Sequence, residues 1–453
     1  MTQFPARENS GLFTDLYELT MAAGYFQSGF KARATFELFV RDLPPERNYL
    51  VAAGLEQALD FLANIRFAPE EIDYLRGQDI FRHVRREFFD YLSRFRFTGE
   101  VWAVPEGTVV FANEPILRVT APIIEAQLVE TRLLSAVNFQ TMVASRAARL
   151  VIAAAGKPVV EFGARRAHGA EAGVFAARAA WIAGCAGSSN VMACNMFGIP
   201  PYGTQAHSWI MAYEDESEAF ARFLDVFPER ATLLLDTYNV HAALKKVIAA
   251  GRKPAGVRLD SGDMAADSRW VRAQLDRVGW NDVQVFVSGD LDEKKISSLT
   301  RRGARIDAFG VGSALVAPTD TRNLGMIYKL VELEIAGKTR EAVKLSEQKA
   351  TFPGRKQVFR FAEPKGKWKS DLIALASETH NGAEPLLQPV MRVGKRLAPA
   401  EPLSTVRSRC ADSLTRLPAS ILATDRLARY PVHHSLPLRK LLEKVRRRVR
   451  QQS

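Results

Sequence analysis

The sequence predicts an α/β protein in which a mixed α+β region precedes a run of βα units. Four short apolar strands with polar ends occur at 233–239, 256–263, 283–292 and 305–313, and helical patterns follow the first three. Asp236, Asp260, Gly289 and Gly312 mark the strand ends at intervals of 24, 29 and 23 residues, about one βα unit each. Repeated βα units imply parallel strands, closed as a barrel or doubly wound.

At 453 residues the chain exceeds one ordinary core, so two or three domains are expected. The stretch 14–28, TDLYELTMAAGYFQS, reads as a helix that Thr14 or Asp15 can cap. Segments 33–41 and 98–119 are rich in β-branched and aromatic residues and read as strands, with a mostly helical 54–95 between them. Strands and helices here follow no repeating order, which assigns an α+β domain to 1–125. A long helix over 123–155 and the strand VVEFGAR (159–165) open the repeating domain, 126–325. Strand-like MIYKLVELEI and KATFPGRKQVFRF define a segment, 326–390, that returns to the N-terminal domain. The rest, 391–453, is a basic C-terminal extension without a regular pattern.

Composition narrows the class. With 47% apolar and 25% charged residues the chain is of soluble globular type. The start, MTQFPARENSGLF, has no basic stretch followed by an apolar one, so no secretory signal is expected. Three cysteines (Cys185, Cys194, Cys410) make neither a disulfide framework nor a CxxC pair, which fits a reduced, cytoplasmic setting. Ala179–Tyr213 holds 35 residues without Lys, Arg, Asp or Glu. That is long enough for a bilayer, but its Gly, Pro and Asn residues would leave backbone groups unpaired in lipid, so no membrane span is expected. The net charge of +12 sits mostly in 391–453, where 15 Lys/Arg face 4 Asp/Glu (+11), leaving about +1 for the body. Such a run is ordinarily a solvated helix or a tail, and nucleic acid is not an expected partner.

Candidate chemistry gathers at the strand ends, where a βα barrel builds its site. VSGDLDE (287–293) and FGVGSAL (309–315) each put Gly beside small or polar residues just where a helix can begin, a place for exposed N–H groups to hold phosphate. Asp236 and Asp260 end their strands and suit ribose hydroxyls or Mg²⁺, or simply cap the next turn. Arg258 lies two positions before Asp260, on the same strand face, and needs an anionic partner: Asp260, a phosphate or a substrate carboxylate. In EFGARRAHG (161–169), Arg165 and Arg166 follow a strand and suit bidentate anion recognition, while Phe162 reads as core or as a flat face for a ring. His207, in GTQAHSWIMAY within the uncharged window, is either a buried structural histidine or a catalytic one. No zinc ligand set, GxSxG elbow or Walker loop is present.

Together TDLYELTMAAGYF, EFGARRAHG, GTQAHSW, LLLDTYNV, GVRLDSGD, VSGDLDE, FGVGSAL and KLSEQKATFPGRKQVFR resemble nicotinate phosphoribosyltransferases over about residues 12–360. The resemblance implies an irregular (β/α) TIM-like barrel with an N-terminal α+β domain and a small C-terminal extension. It also implies a homodimer and the first step of nicotinate salvage to NAD: nicotinate, phosphoribosyl pyrophosphate and ATP give nicotinate mononucleotide, pyrophosphate, ADP and phosphate. By the same resemblance His207 is the residue phosphorylated by ATP, and Phe162 and Tyr17 sandwich the pyridine ring, with Tyr17 donated by the neighbouring subunit. Arg165 and Arg258 meet substrate carboxylate or phosphates, Asp260 holds ribose or Mg²⁺, and Gly289, Asp290, Gly312 and Ser313 form phosphate turns. Ser189, Asn190, Thr204 and Asp236 join the substrate-binding set. Family members with a C-terminal zinc site carry cysteine pairs there; with Cys410 alone, no zinc is expected. Ser189 and Asn190 stand where the related nicotinamide enzyme places an Asp, which favours nicotinate over nicotinamide. A quinolinate enzyme would want more cations and lacks the GTQAHSW histidine. A polyanion-binding protein on a degenerate barrel is the alternative from another class; the basic tail supports it and the intact strand ends oppose it.

Overall fold

The computed structural model describes residues 10–317, 323–344 and 351–451. Residues 1–9 of the N-terminal stretch, 345–350 of KLSEQKATFPGRKQVFR, 318–322 and the last two residues of the basic tail lie outside the described residues. The fold is mixed α/β and divides into two compact units: one of Met1–Met142, Asn323–Ile421 and Ala428–Ser453, the other of Val143–Arg322 and Leu422–Leu427.

The first unit is built on an antiparallel sheet in the order Lys338–Glu341, Met326–Ile335, Arg33–Val40, Leu117–Pro122, Glu100–Ala103, Gln388–Arg392, Lys395–Arg396. Its centre, RATFELFV, is buried at seven of eight positions, because β-branched and aromatic side chains there are covered on both faces. Phe36 stacks on Tyr328 from the neighbouring strand at 4.7 Å. The first helix runs Leu16–Gln27, with Asp15 at its N-cap. The expected cap does not form: the Asp15 carboxylate accepts from Thr131 Oγ at 2.8 Å, and the Thr14 hydroxyl donates to Glu18. The helix expected over 123–155 forms as two, Ile123–Leu128 and Glu130–Ala153.

A second, four-stranded sheet of this unit pairs Ala383–Pro385, Lys356–Ala362, Trp368–Leu375 and Val432–His434. The region read as patternless contains, besides the short helix Ala419–Leu422, two longer ones, Leu403–Arg416 and Leu436–Arg450. In the latter Leu438, Leu442 and Val445 are buried at i, i+4 and i+7, so the basic run is the outer face of a packed helix. Its arginines masked the apolar stripe. Among the described residues no helix is long and apolar enough to cross a membrane.

The second unit carries a six-stranded parallel sheet in the order Gly187–Ser188, Val159–Glu161, Ala308–Val311, Gln284–Val287, Gly256–Leu259, Thr232–Leu234. Among the described residues the sheet is not closed: its first and last strands do not pair. Helices Val240–Ala249, Met264–Arg277 and Glu293–Arg301 follow the strands as the sequence pattern requires. Asn239, Asp263 and Asp292 cap them through side-chain oxygens. Asp263 also pairs with Arg302 at 2.8 Å, which makes it a structural acid. Beneath the last turns, Arg146 and Arg149 meet the buried Glu293 at 2.7 and 3.0 Å, and Arg146 Nε donates to the Ala314 carbonyl. One arginine thereby ties the 289–293 turn to the 312–314 turn.

Candidate active site

Arg258 organises the C-terminal ends of the parallel strands. Its Nε donates to Ser288 Oγ, one Nη to Thr204 Oγ1 and the other to Asp260 Oδ1, each at 2.7 Å. Three fixed acceptors hold the guanidinium plane, and only 14% of the side chain is exposed. The pairing with Asp260 is the first of the three partners its strand position allowed. Ser288 Oγ also donates to Asp260 Oδ1 at 2.5 Å. Burial works against ionisation of Asp260, but the Ser288 hydrogen bond and the Arg258 charge outweigh it and hold the carboxyl below its ordinary range.

Asp236, one strand over, reaches the same acid from the other side. Its Oδ2 accepts from the Asp260 N–H at 3.1 Å and from Ser261 Oγ at 2.5 Å, while its buried Oδ1 has no hydrogen-bond partner among the described residues. His207 opens the short helix His207–Met211, which Trp209 anchors through a bond from Nε1 to the Ala219 carbonyl at 3.0 Å. The imidazole contacts Thr237 Oγ1 through Nδ1 at 3.2 Å and lies 3.8 Å from Asp260 Oδ2 through Nε2. At 42% exposure its side chain is open on one side, which a buried structural histidine would not be. Before it, Gln205 is 4% exposed and both polar atoms of its side chain lack partners among the described residues.

Phe162 forms the aromatic edge. Its N–H is bonded to the Val311 carbonyl at 2.8 Å, its ring packs 5.6 Å from Phe286, and the Arg258 guanidinium lies 5.8 Å from its centroid. Gly310 sits beneath it; a Cβ there would come within 2.7 Å of the ring. Arg165 follows in the 3₁₀ turn Ala164–Arg166, exposed and without an ion pair among the described residues. Ser189 is exposed, whereas the Asn190 side-chain oxygen caps helix Val191–Phe197.

The glycine turns take up the conformations the close packing requires. Gly289 has φ +95°, and a Cβ on it would collide with the Asp260 carbonyl. Asp290 follows at φ +46°, its carbonyl accepting from Lys295 Nζ at 2.7 Å. Gly312 precedes the short turn Ser313–Val316. Tyr17 belongs to the first unit and is 46% exposed. Partial burial and the nearby Glu130 push its hydroxyl up.

Sequence reasoning missed Ser288 and Thr237. The parallel register pairs Val287 with Leu259, so the residue after Val287 must lie beside Asp260. Only the register gives that, not spacing along the chain. Of the histidines given no role, His241 stacks on Trp270 at 3.9 Å, and His168 is exposed in its turn.

Fixed charges at adjacent strand ends beside a ring face are the arrangement of an α/β enzyme's active site. The chain belongs to the nicotinate phosphoribosyltransferase family. The family's N-terminal domain matches residues 12–138, its central region residues 158–359 and its C-terminal domain residues 379–442. The likeness therefore extends past residue 360, into the basic extension. Nicotinate phosphoribosyltransferase pncB2 of Mycobacterium tuberculosis is 44% identical over 91% of this chain and 89% of its own. Nicotinate phosphoribosyltransferase of Bacillus subtilis is 40% identical over 84% and 79% respectively. Human nicotinic acid phosphoribosyltransferase superposes with a TM-score of 0.83 at 28% identity, covering 95% of this chain and 99% of that one.

Proposed function

We propose that the protein transfers the phosphoribosyl group of phosphoribosyl pyrophosphate to nicotinate, giving nicotinate mononucleotide and pyrophosphate in salvage toward NAD. The observation that carries this is the Arg258–Asp260–Ser288 lock beside Phe162. It puts a fixed cation and a fixed anion next to a ring face. The six parallel strands are read as the wall of an irregular (β/α) barrel, and the enzyme as a cytoplasmic homodimer in which Tyr17 of one subunit closes the ring site of the other.

Phe162 carries the pyridine ring, and Arg165 or Arg258 receives its carboxylate. Asp260 and Asp236 hold the ribose hydroxyls, with Thr204 bracing Arg258 and Ser189 and Asn190 lining the ring pocket with neutral groups. Gly289, Asp290, Gly312 and Ser313 present backbone N–H groups to the phosphates. Departure of pyrophosphate builds positive charge at the anomeric carbon, so these residues must hold the pyridine nitrogen in line with it and neutralise the leaving group.

Among the described residues no cluster of three metal ligands exists, so a cation caged by protein alone is not supported. Asp236 Oδ1, without a hydrogen-bond partner among the described residues, and Asp260 Oδ2, 3.8 Å from His207 Nε2, do fit Mg²⁺ held by one or two carboxylates plus substrate phosphates. When bound, Mg²⁺ would supply charge neutralisation of pyrophosphate. ATP is the co-substrate that phosphorylates His207. Its half-open imidazole and the Thr237 contact, which fixes the ring, support that role.

The test is a mononucleotide assay with phosphoribosyl pyrophosphate, Mg²⁺, nicotinate or nicotinamide, and ATP present or absent. Nicotinate should be consumed and nicotinamide not, and ATP should lower the KM for phosphoribosyl pyrophosphate in the parent but not in His207→Ala. Consumption of nicotinamide alone would refute the substrate assignment. An ATP effect that survives His207→Ala would refute the phosphohistidine.

A further inference from the structure

Glu161 is an anomaly in the wall of the proposed ring pocket. It is the last residue of strand Val159–Glu161, fully buried, and among the described residues no cation pairs with it. Burying a carboxyl without a counter-charge is costly, and an apolar side chain would fill the same space at less cost. Burial does push its carboxyl up, against the opposing hydrogen bonds of Ser188 and Gly163. A group kept at that cost is being used for its geometry.

The geometry is a bridge. One oxygen accepts the Gly163 N–H, and the other accepts from Ser188 Oγ at 2.5 Å. Ser188 Oγ in turn accepts the Asn190 N–H at 2.9 Å, and the Glu161 carbonyl accepts the Ser189 N–H at 3.0 Å. One residue thus fixes Ser188, Ser189 and Asn190 on one side and the turn carrying Phe162, Gly163 and Arg165 on the other. The strand that bears the first set, Gly187–Ser188, makes only two register pairs with its neighbour. On its other side Ser188 is bridged to the 200–202 segment, its N–H donating to the Pro200 carbonyl at 3.2 Å and its carbonyl accepting the Tyr202 N–H at 2.9 Å, and neither bond ties it to the Phe162 turn. Phe162 itself is held from below by Gly310 and Phe286. What remains to be set is the separation between its ring and the neutral residues 188–190.

We propose that Glu161 is a positioning residue for nicotinate, a buried carboxyl clamp that joins the Phe162–Arg165 turn to the Ser188–Asn190 turn and sets the width of the ring pocket. It touches no substrate and acts through Ser188 and Gly163. The inference rests on the reading that Phe162 carries the pyridine ring. It predicts a split: ring binding depends on the clamp, while phosphoribosyl pyrophosphate, held on other strand ends, does not.

Glu161→Gln keeps the volume but turns an amide nitrogen toward a fixed N–H or toward a hydroxyl that already serves Asn190. Ser188→Ala breaks the bridge from the other end. Each should raise the nicotinate KM about tenfold with kcat within about twofold, and the KM for phosphoribosyl pyrophosphate should stay put. The double variant should be no worse than the poorer single one, since both break one bridge. Ser188→Ala decides the matter alone if Glu161→Gln does not fold. An unchanged nicotinate KM, or a parallel rise in both KM values, overturns the clamp. Phe162→Ala separates the two levels: if it too leaves the nicotinate KM unchanged, the ring-site reading fails, whereas a large rise there alone removes only the clamp.

Discussion

Two arginine–aspartate pairs, one in each unit, use the same chemistry for opposite ends. In the first unit Arg360 is 1% exposed and grips Asp371 through Nε at 3.0 and 3.1 Å and Nη2 at 2.5 Å. Phe111 and Trp368 cover the guanidinium at 5.6 and 5.4 Å, Tyr430 donates to Asp371 at 3.2 Å, and Phe111 stacks on Tyr430 at 4.0 Å. In the second unit Arg258 is held as firmly, but its acid turns an oxygen toward a half-open histidine 3.8 Å away. Aromatic rings close the first pair off from anything outside the fold. The second keeps one side open, so burial, rather than the pair itself, separates a structural ion pair from a site.

The largest expected effect comes from breaking the closed pair. Arg360→Leu leaves Asp371 buried without its counter-ion and should cost about 3–5 kcal/mol of stability, read by urea unfolding. Activity per folded molecule should be unchanged. Replacing Asp371 by Leu as well should recover part of the loss, because Asp371 is then not stranded and Glu114, the second buried acid, 4.0 Å from Arg360, is held toward its neutral form by burial. If the double variant is the less stable of the two, the pair does more than satisfy itself, and the contrast with Arg258 weakens.

The open pair should respond the other way round. Arg258→Lys keeps the charge but cannot serve Ser288, Thr204 and Asp260 together. A loss of about 100-fold in kcat/KM, near 2.7 kcal/mol of transition-state stabilisation, is expected for mononucleotide formation. The unfolding midpoint should move less than for Arg360→Leu, since the lysine keeps a positive charge beside Asp260. A large drop in stability with activity per folded molecule preserved would place Arg258 in the same class as Arg360.

The sequence reading found Arg258 and Asp260 but not Arg360 and Asp371, and the reason is physical. Arg258 and Asp260 share one face of one strand, so their pairing follows from an alternation of two. Arg360 and Asp371 lie directly opposite each other on adjacent antiparallel strands, a pairing fixed by register rather than by spacing. Ser288 escaped for the same cause, since its partner lies across a parallel ladder. The βα rhythm was legible because each unit repeats its own signals locally. The packed helix Leu436–Arg450 was not, because seven Lys/Arg hid three buried apolar positions. Glu161 reads as an ordinary strand-end acid until its burial and its two bonds are known.

The subtlest difference between the pairs is how they respond to pH. In the closed cluster, burial and the neighbouring Asp371 raise Glu114 well above its ordinary 4.5, so folded protein retains a proton that unfolded chain has lost. Stability then falls as pH rises from about 4.5 toward the folded value, by at most one proton, about 1.4 kcal/mol per pH unit. At the open pair the sign is reversed. Asp260 is held below its ordinary 3.8, so its contribution is complete above that pH and is lost only as pH falls through the lower folded value. Urea midpoints taken from pH 5 to 8 should therefore separate the two: Glu114→Gln, which fixes the neutral form, should flatten the decline. Asp260→Asn should run parallel to the parent across that range. Were the Glu114→Gln slope to match the parent's, the cluster would titrate like the site, and burial would not be what distinguishes them.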